Sequence, residues 1–329
     1  MNIDLSLPEL RFAVAAVRAA SNGARAIQEQ LKMAKLTKQD TSPVTVADFA
    51  CQAIVAKRLV DAFPHAVLVG EEGAAELRND ANAELRGLVV DFVKNDAGNA
   101  EAGAVLDWID IGASAPCERF WTLDPIDGTK GYLRGDQYAI ALALIENGRV
   151  VLGVLGCPNL SSDCASAAPS SGAIAVAVRG SGAGAMPLNG AETLVPLRVS
   201  KISDIKRARV LRSYVSSHTN VDELESFSRA VGIEAPPVAL DSQAKYALLA
   251  SGAGELLLRL LSPKQPDYRE MIWDQAAGAI VVEEAGGRVT DLAGKPLDFS
   301  RGRTLSANSG VCATNGVLHD ETLAALAKL

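Results

Sequence analysis

The chain has 329 residues, 48% of them apolar, and carries 32 Lys plus Arg against 39 Asp plus Glu, a net charge of −7. At roughly 150 residues per domain the length suggests two domains, and the apolar share is ample for a large core. The acidic balance excludes a nucleic-acid-coating protein, because phosphate-backbone binders need a clustered positive surplus.

In chain order, Leu7 to about Leu31 predicts a helix, with Ser6 as cap, Pro8 in the first turn and a possible break at Asn22-Gly23. A second amphipathic helix is expected from about Val44 to Phe63. Ala66 to Val69 reads as a short buried strand that ends at Gly70-Glu71-Glu72. Residues 73–118 are weakly patterned and predict an excursion of helices and loops. Phe120 to Leu123 is a strand, with Asp124 to Gly135 as a turn and short helix. Tyr138 to Glu146 and Arg149 to Gly156 form a hairpin through Asn147-Gly148. Ala173 to Arg179 and Leu194 to Val199 complete an antiparallel meander, and Gly180 to Gly184 reads as a glycine-rich turn.

From about Ile205 strands and helices alternate. Strands are expected at Arg209–Ser213, Pro236–Leu240, Glu255–Leu260 and Arg288–Thr290. Helices are expected at Val221–Val231, Ser242–Ser251 and Trp273–Ala285. The fold class is therefore α+β followed by α/β: an antiparallel-sheet domain over residues 1–203 and an α/β domain over 204–329.

No apolar run approaches the ~18–20 residues that cross a bilayer, so no membrane partner is expected. The start, Met1-Asn2-Ile3-Asp4, lacks the basic and apolar regions of a secretion signal. Five cysteines (Cys51, Cys117, Cys157, Cys164, Cys312) without a C-x-x-C read as reduced thiols, which places the protein in the cytoplasm. Three histidines are too few for a His-rich metal cage, so carboxylates are the plentiful functional group.

The densest chemical signal is Asp124-Pro125-Ile126-Asp127-Gly128-Thr129, at the end of an apolar strand. Two carboxylates three apart can face one point with the Ile126 carbonyl between them, an all-oxygen set that suits Mg²⁺ rather than Zn²⁺. Gly128 and Thr129 open the next helix, whose free N–H groups suit an anion. Asp48, Glu71 and Asp274 add acids near helix starts or a strand end. Each position also has a purely structural reading, as a turn, a cap or a solvated loop.

Four separated motifs occur in order: Ser42-Pro43-Val44-Thr45-x-Ala47-Asp48, Gly70-Glu71-Glu72, the hexapeptide above, and Trp273-Asp274-x-Ala276-Ala277-Gly278 with Glu284-Ala285-Gly286-Gly287. Together they resemble the lithium-sensitive, magnesium-dependent phosphatases that include inositol monophosphatase and fructose-1,6-bisphosphatase. Within that superfamily four further features resemble the 3′(2′),5′-bisphosphate nucleotidases most closely. These are Gly128 to Gly135, Gly153 to Asn159, Asp241-Ser242-Gln243-Ala244-Lys245-Tyr246 and the 73–118 excursion.

The resemblance implies a layered α/β/α/β/α sandwich with the site between two domains. It implies removal of the 3′-phosphate of adenosine 3′,5′-bisphosphate to give AMP, with 3′-phosphoadenosine 5′-phosphosulfate as a second substrate, in sulfur metabolism. Carried over by position, Glu71, Asp124, Asp127, Asp274 and the Ile126 carbonyl would bind two to three Mg²⁺ ions. Asp48 and Thr129 would be catalytic, orienting water and relaying a proton. Gly128 and Thr129 would hold the reacting phosphate, and His218, Ser242, Lys245 and Arg259 the AMP moiety and its 5′-phosphate. Gln275 stands where nucleotidases commonly carry His, and Ala173 to Val178 lacks the usual aromatic. An inositol- or sugar-phosphate phosphatase is the neighbouring alternative. A metal- or nucleotide-sensing module without catalysis is the alternative of another class.

Overall fold

The computed structural model describes residues 1–34, 43–214 and 220–328. Helix α1 (Pro8–Ala34) runs unbroken through Asn22-Gly23. The reason is packing: Gly23 lets Ile54 of the facing helix approach, a Cβ there lying 3.3 Å from its Cδ1, and Asn22 bonds Asn189 across the molecule. Ser6 does not cap α1, because its hydroxyl donates to Asp4 Oδ1 (2.6 Å) in the preceding turn.

Helix α2 (Pro43–Ala62) lies against α1. Their apolar stripes, including Leu10, Val14, Val17, Phe49 and Leu59, are buried on one face of a seven-stranded sheet. That sheet runs in simple sequence order: β1 (Leu68–Gly70), β2 (Arg119–Asp127), β3 (Ala139–Glu146), β4 (Arg149–Cys157), β5 (Ala173–Val178), β6 (Gly182–Pro187) and β7 (Val195–Pro196). Only β1–β2 is parallel; the other pairs are antiparallel. Asn147 and Gly148 both take positive φ (50° and 73°) in the β3–β4 turn, as a tight two-residue hairpin requires. The excursion is helical, α3 (Ala83–Ala97) and α4 (Ala102–Ile111), and packs over α2. The glycine-rich segment is a turn only at Gly180-Ser181; Gly182 onward is strand β6, whose small residues give no β-branched signal.

Strand β3 shows why the sheet is sandwiched. Ile140, Leu142 and Leu144 point to α1 and α2, while Ala139, Ala141 and Ala143 point the other way. The small residues admit a central helical layer, α7 (Ala244–Ala250) and α8 (Ala276–Glu284). In α8 Ala276–Val282 are buried, which fits a helix covered on all sides.

Below it lies a five-stranded sheet in the order β11-β12-β10-β8-β9. Its strands are β8 (Val210–Arg212), β9 (Val238–Ala239), β10 (Leu256–Arg259), β11 (Arg288–Thr290) and β12 (Val311–Thr314). Helices α6 (Val221–Val231) and α9 (His319–Leu326) flank its outer side, where Leu224, Phe227, Leu256 and Leu318 share a third cluster. The architecture is the expected five-layered α/β/α/β/α sandwich.

Candidate active site

The site forms where the C-terminal ends of β1 and β2 meet the central helices. Parallel pairing sets Gly70 opposite Leu123, so the next residues, Glu71 and Asp124, leave neighbouring strand ends side by side. The hexapeptide is not a simple turn. Strand β2 continues through it, and its register on β3 slips so that Asp124 faces Ala141 while Asp127 faces Ala139. Three residues on β2 therefore span two on β3. In a regular strand residues three apart point to opposite faces; the extra residue returns both aspartates to the face that looks at α8.

After Asp127 the chain turns through Gly128 at φ 86° into α5 (Thr129–Arg134). A Cβ on Gly128 would fall 2.7 Å from Ser242 Cβ, so this turn needs glycine both for its dihedral and for its neighbour. Helix α5 has only six residues, so anion attraction here rests on one turn of free N–H groups more than on a macrodipole.

From the other side come Ser242, Gln243 and Asp274. The Gln243 backbone N–H donates to Asp127 Oδ2 (2.5 Å). Its side-chain amide donates to the Trp273 carbonyl (2.9 Å) and accepts from Gly278 N (3.0 Å). One buried glutamine thus joins the Asp127 strand end to the turn that carries Asp274. Gly278 is the small residue that lets α8 meet the Tyr246 ring.

These elements enclose a cavity of about 420 Å³. Glu71, Asp124, Ile126, Asp127, Gly128, Thr129, Ser242, Lys245, Arg259 and Asp274 all line it. Asp48 does not line it. It sits on α2 behind the wall, close enough to Glu71 and Glu72 to repel them. The Thr129 hydroxyl is turned to the Ile126 carbonyl at 3.5 Å. His218, and Ser42 of the first motif, lie outside the described residues.

The acids crowd one wall. Burial, then repulsion from Asp127, Glu71, Asp274 and Asp48, raises the Asp124 pKa well above the usual carboxylate value. Burial and then Asp127 do the same to Asp274, and burial with Glu72 and Asp127 brings Glu71 to about 7. Burial also raises Asp127, although Lys245 and the Gln243 N–H pull it back. Asp48 is raised by burial, Glu72 and Glu71. Asp124 Oδ1 is buried without a hydrogen-bond partner. Among the described residues no three acidic, cysteine or histidine side chains are drawn tightly round a single point. A buried carboxylate oxygen with no partner, beside three more acids and a carbonyl, is a donor set that fits a hard divalent cation.

The cations Lys245 and Arg259 line the same cavity. Lys245 is 4% exposed, which excludes the solvated helix face as its setting; its ammonium donates to Ser213 Oγ (3.0 Å) and the Leu240 carbonyl (3.3 Å). Burial lowers its pKa to about 8, with Asp127 opposing the fall. Arg259 is forked onto Glu270, and that pair outweighs burial to keep the guanidinium charged. Glu270 accepts from Gln275 Nε2 (2.7 Å), and Gln275 accepts from the Tyr246 hydroxyl. Ser242 Oγ accepts from Ala244 N (3.1 Å).

Sequence reasoning missed the linking roles of Gln243, Gln275 and Glu270. Gln243 and Gln275 stood inside or beside quoted motifs; Glu270 lies outside them, and its partners Arg259 and Gln275 follow no spacing that marks a pair.

The carboxylate wall, the glycine turn and the five layers define a phosphatase-like scaffold, and the pattern of the inositol monophosphatase family matches residues 9–329. The chain belongs to that family, whose members are generally metal-dependent. Among its relatives, the 3′(2′),5′-bisphosphate nucleotidase of Schizosaccharomyces pombe is 42% identical, over 97% of this chain and 95% of that protein. The proteins of the same name from Oryza sativa and Emericella nidulans are also 42% identical, over 97% and 89% of this chain and 93% and 90% of their own lengths. In fold the chain is similar to the Thermotoga maritima IMPase, with a TM-score of 0.64 at 22% identity over 98% of both chains.

Proposed function

We propose that this chain is a 3′(2′),5′-bisphosphate nucleotidase that releases the 3′-phosphate of adenosine 3′,5′-bisphosphate, or of its 5′-phosphosulfate, and leaves a 5′-nucleotide. The observation that carries the reading is one cavity lined by the carboxylates Glu71, Asp124, Asp127 and Asp274, the start of α5, and the cations Lys245 and Glu270-paired Arg259, a setting for two phosphates of different fates. The 42% identity to nucleotidases supports the same substrate class.

Glu71, Asp124, Asp127, Asp274 and the Ile126 carbonyl would hold two to three Mg²⁺ ions. Bound there, the cations supply a lowered water pKa and neutralisation of phosphate charge. The first N–H groups of α5 and the Thr129 hydroxyl orient the reacting phosphate. The attacking water would give its proton to the Thr129 hydroxyl as that hydroxyl passes its own, through an intervening water, to Asp48, which does not itself line the cavity. Lys245 and Arg259, with Ser242 and His218, bind the remaining phosphate and nucleoside. Gln243 keeps Asp127 and Asp274 in register.

We take residues 1–203 and 204–329 as two domains with the site between them. Buried thiols at Cys51, Cys157, Cys164 and Cys312 support a reducing, cytoplasmic setting. Among the described residues no helix is long and apolar enough to cross a membrane. On this reading turnover is lithium-sensitive and serves sulfur metabolism.

The test is product analysis. Protein, Mg²⁺ and adenosine 3′,5′-bisphosphate should yield 5′-AMP and one phosphate. Release of adenosine 3′-monophosphate instead, or binding without any phosphate release, would overturn the assignment.

A further inference from the structure

We propose that Arg303 is a positioning residue that fixes the Glu71 turn and the Asp274 turn at one separation, and so sets metal affinity. The proposal rests on the metal-site reading above. Arg303 lies in the connection between β11 and β12, 233 residues from Gly70, and outside every motif quoted for the site.

Its main chain holds the approach to Asp274. Ile272 N donates to the Arg303 carbonyl (3.0 Å), and Leu305 N donates to the Glu270 carbonyl (2.8 Å). Met271 and Thr304 form a bridge between these two hydrogen bonds. Residues 303–305 therefore run antiparallel beside 270–272, the segment that delivers Trp273 and Asp274 to the cavity.

Its side chain holds the approach to Glu71. One guanidinium nitrogen donates to the carbonyl of Gly70, the residue before Glu71. The other reaches the carbonyls of Gly112 and Ser114, both at 3.3 Å. Gly112 O also accepts from Gly70 N (2.8 Å), so the end of β1 is held on both sides. The guanidinium carbon lies over the Trp273 ring, 4.8 Å from its centroid. One residue thus touches the neighbours of both Glu71 and Asp274, which come from opposite halves of the molecule.

Arginine suits this task for a geometric reason. Its planar fork can send fixed N–H directions to several carbonyls while its face stacks on an indole; a lysine ammonium offers the charge without the plane. Two metal ligands on separate segments bind well only if their spacing is fixed before the ion arrives.

The experiment is Mn²⁺ titration by electron paramagnetic resonance, with wild type, Arg303→Met and Arg303→Lys. Arg303→Met should raise the Mn²⁺ dissociation constant by about tenfold or more, the effect expected when support behind metal ligands is lost. Its half-saturating Mg²⁺ for turnover should rise in the same ratio, with kcat largely recovered at saturating metal. Arg303→Lys should recover only part of the affinity. A folded Arg303→Met with unchanged Mn²⁺ affinity and a lowered Tm would make the residue merely structural, and full recovery in Arg303→Lys would replace the fork by simple charge; either result overturns the proposal. If Arg303→Met fails to fold, Arg303→Gln, whose shorter amide cannot span both turns, should still weaken Mn²⁺ binding; unchanged binding there counts against the proposal. No Mn²⁺ binding by wild type would instead refute the metal-site reading itself.

Discussion

Replacing Asp124 by Asn removes one charge from the acidic wall at nearly constant volume, and stability and activity should then move in opposite directions. Asp124 is 2% exposed, one of its oxygens has no partner, and burial with four acidic neighbours raises its pKa well above 3.8. A carboxyl whose folded pKa is raised holds its proton more tightly when folded, so the metal-free protein loses stability as pH climbs above the unfolded value. Asn has no charge to desolvate, a relief on the order of 1–3 kcal/mol. With about 2.1 cal/mol/K of unfolding entropy per residue over 329 residues, 1 kcal/mol moves Tm by roughly 1.5 °C. In a chelator at about pH 8, Asp124→Asn should therefore melt about 2–4 °C above wild type. Saturation with Mg²⁺ at about 100 times its Kd adds about 2.7 kcal/mol to wild type, or roughly 4 °C, and should add less than about 1 °C to the variant. Its kcat should fall at least ~10²-fold. Melting curves with and without Mg²⁺, together with phosphate release, read all three quantities. Near-normal turnover, a wild-type Mg²⁺ shift, or a lower Tm in chelator would each refute the reasoning.

Three further outcomes follow from other parts of the molecule. Lys245→Ala should raise KM for adenosine 3′,5′-bisphosphate by about 10–100-fold, the worth of a charge-assisted hydrogen bond, and change KM far less for a substrate without the 5′-phosphate; equal effects would remove Lys245 from phosphate binding. Gly153→Ala should cost about 1–3 kcal/mol in urea unfolding, because its Cβ would press on Ile280 and lie 3.0 Å from the Ala277 carbonyl of α8, shifting the helix behind Asp274; unchanged stability and Mg²⁺ dependence would contradict that packing. His319 is buried between Thr290 Oγ1 (2.9 Å) and Thr314 Oγ1 (3.0 Å), and burial lowers its pKa from 6.5 to about 4. The unfolded chain then binds the proton first, so stability present above pH 6.5 is lost as pH falls towards 4, by about 3 kcal/mol. His319→Gln should flatten that acid limb, and an unchanged pH profile would exclude His319 as its source.

What could be read from the chain and what could not divide along physical lines. The Asn147-Gly148 hairpin was legible because a tight turn demands particular backbone angles, and the edges of α6 and β11 fell where expected. The carboxylates of the site were legible because the motifs carry them, and the structure brings Glu71, Asp124, Asp127 and Asp274 to the lining of one cavity. The route by which Asp124 and Asp127 share a face was not: a proline-containing hexapeptide suggests a turn, whereas pairing with β3 keeps it a strand with one extra residue. Strand β6 was hidden because Gly182 to Ala185 have no β-branched residue, and β12 and α9 were not among the expected elements. The unbroken α1 reflects tertiary packing that outweighs a local Asn-Gly signal. Arg303 was invisible for a related reason, since its meaning lies wholly in carbonyls and a ring that only the fold brings near.

The measurement that bears most directly on the central claim is a side-by-side comparison of phosphate release from adenosine 3′,5′-bisphosphate and inositol 1-phosphate, with Mg²⁺ and the same protein preparation. A cavity lined by Lys245 and Arg259 predicts a kcat/KM higher by at least ~10²-fold for the bisphosphate, because the inositol ester brings no second phosphate to the buried Lys245 ammonium. Equal rates, or a preference for inositol 1-phosphate, would contradict the nucleotidase reading and leave an inositol-phosphate phosphatase on the same scaffold.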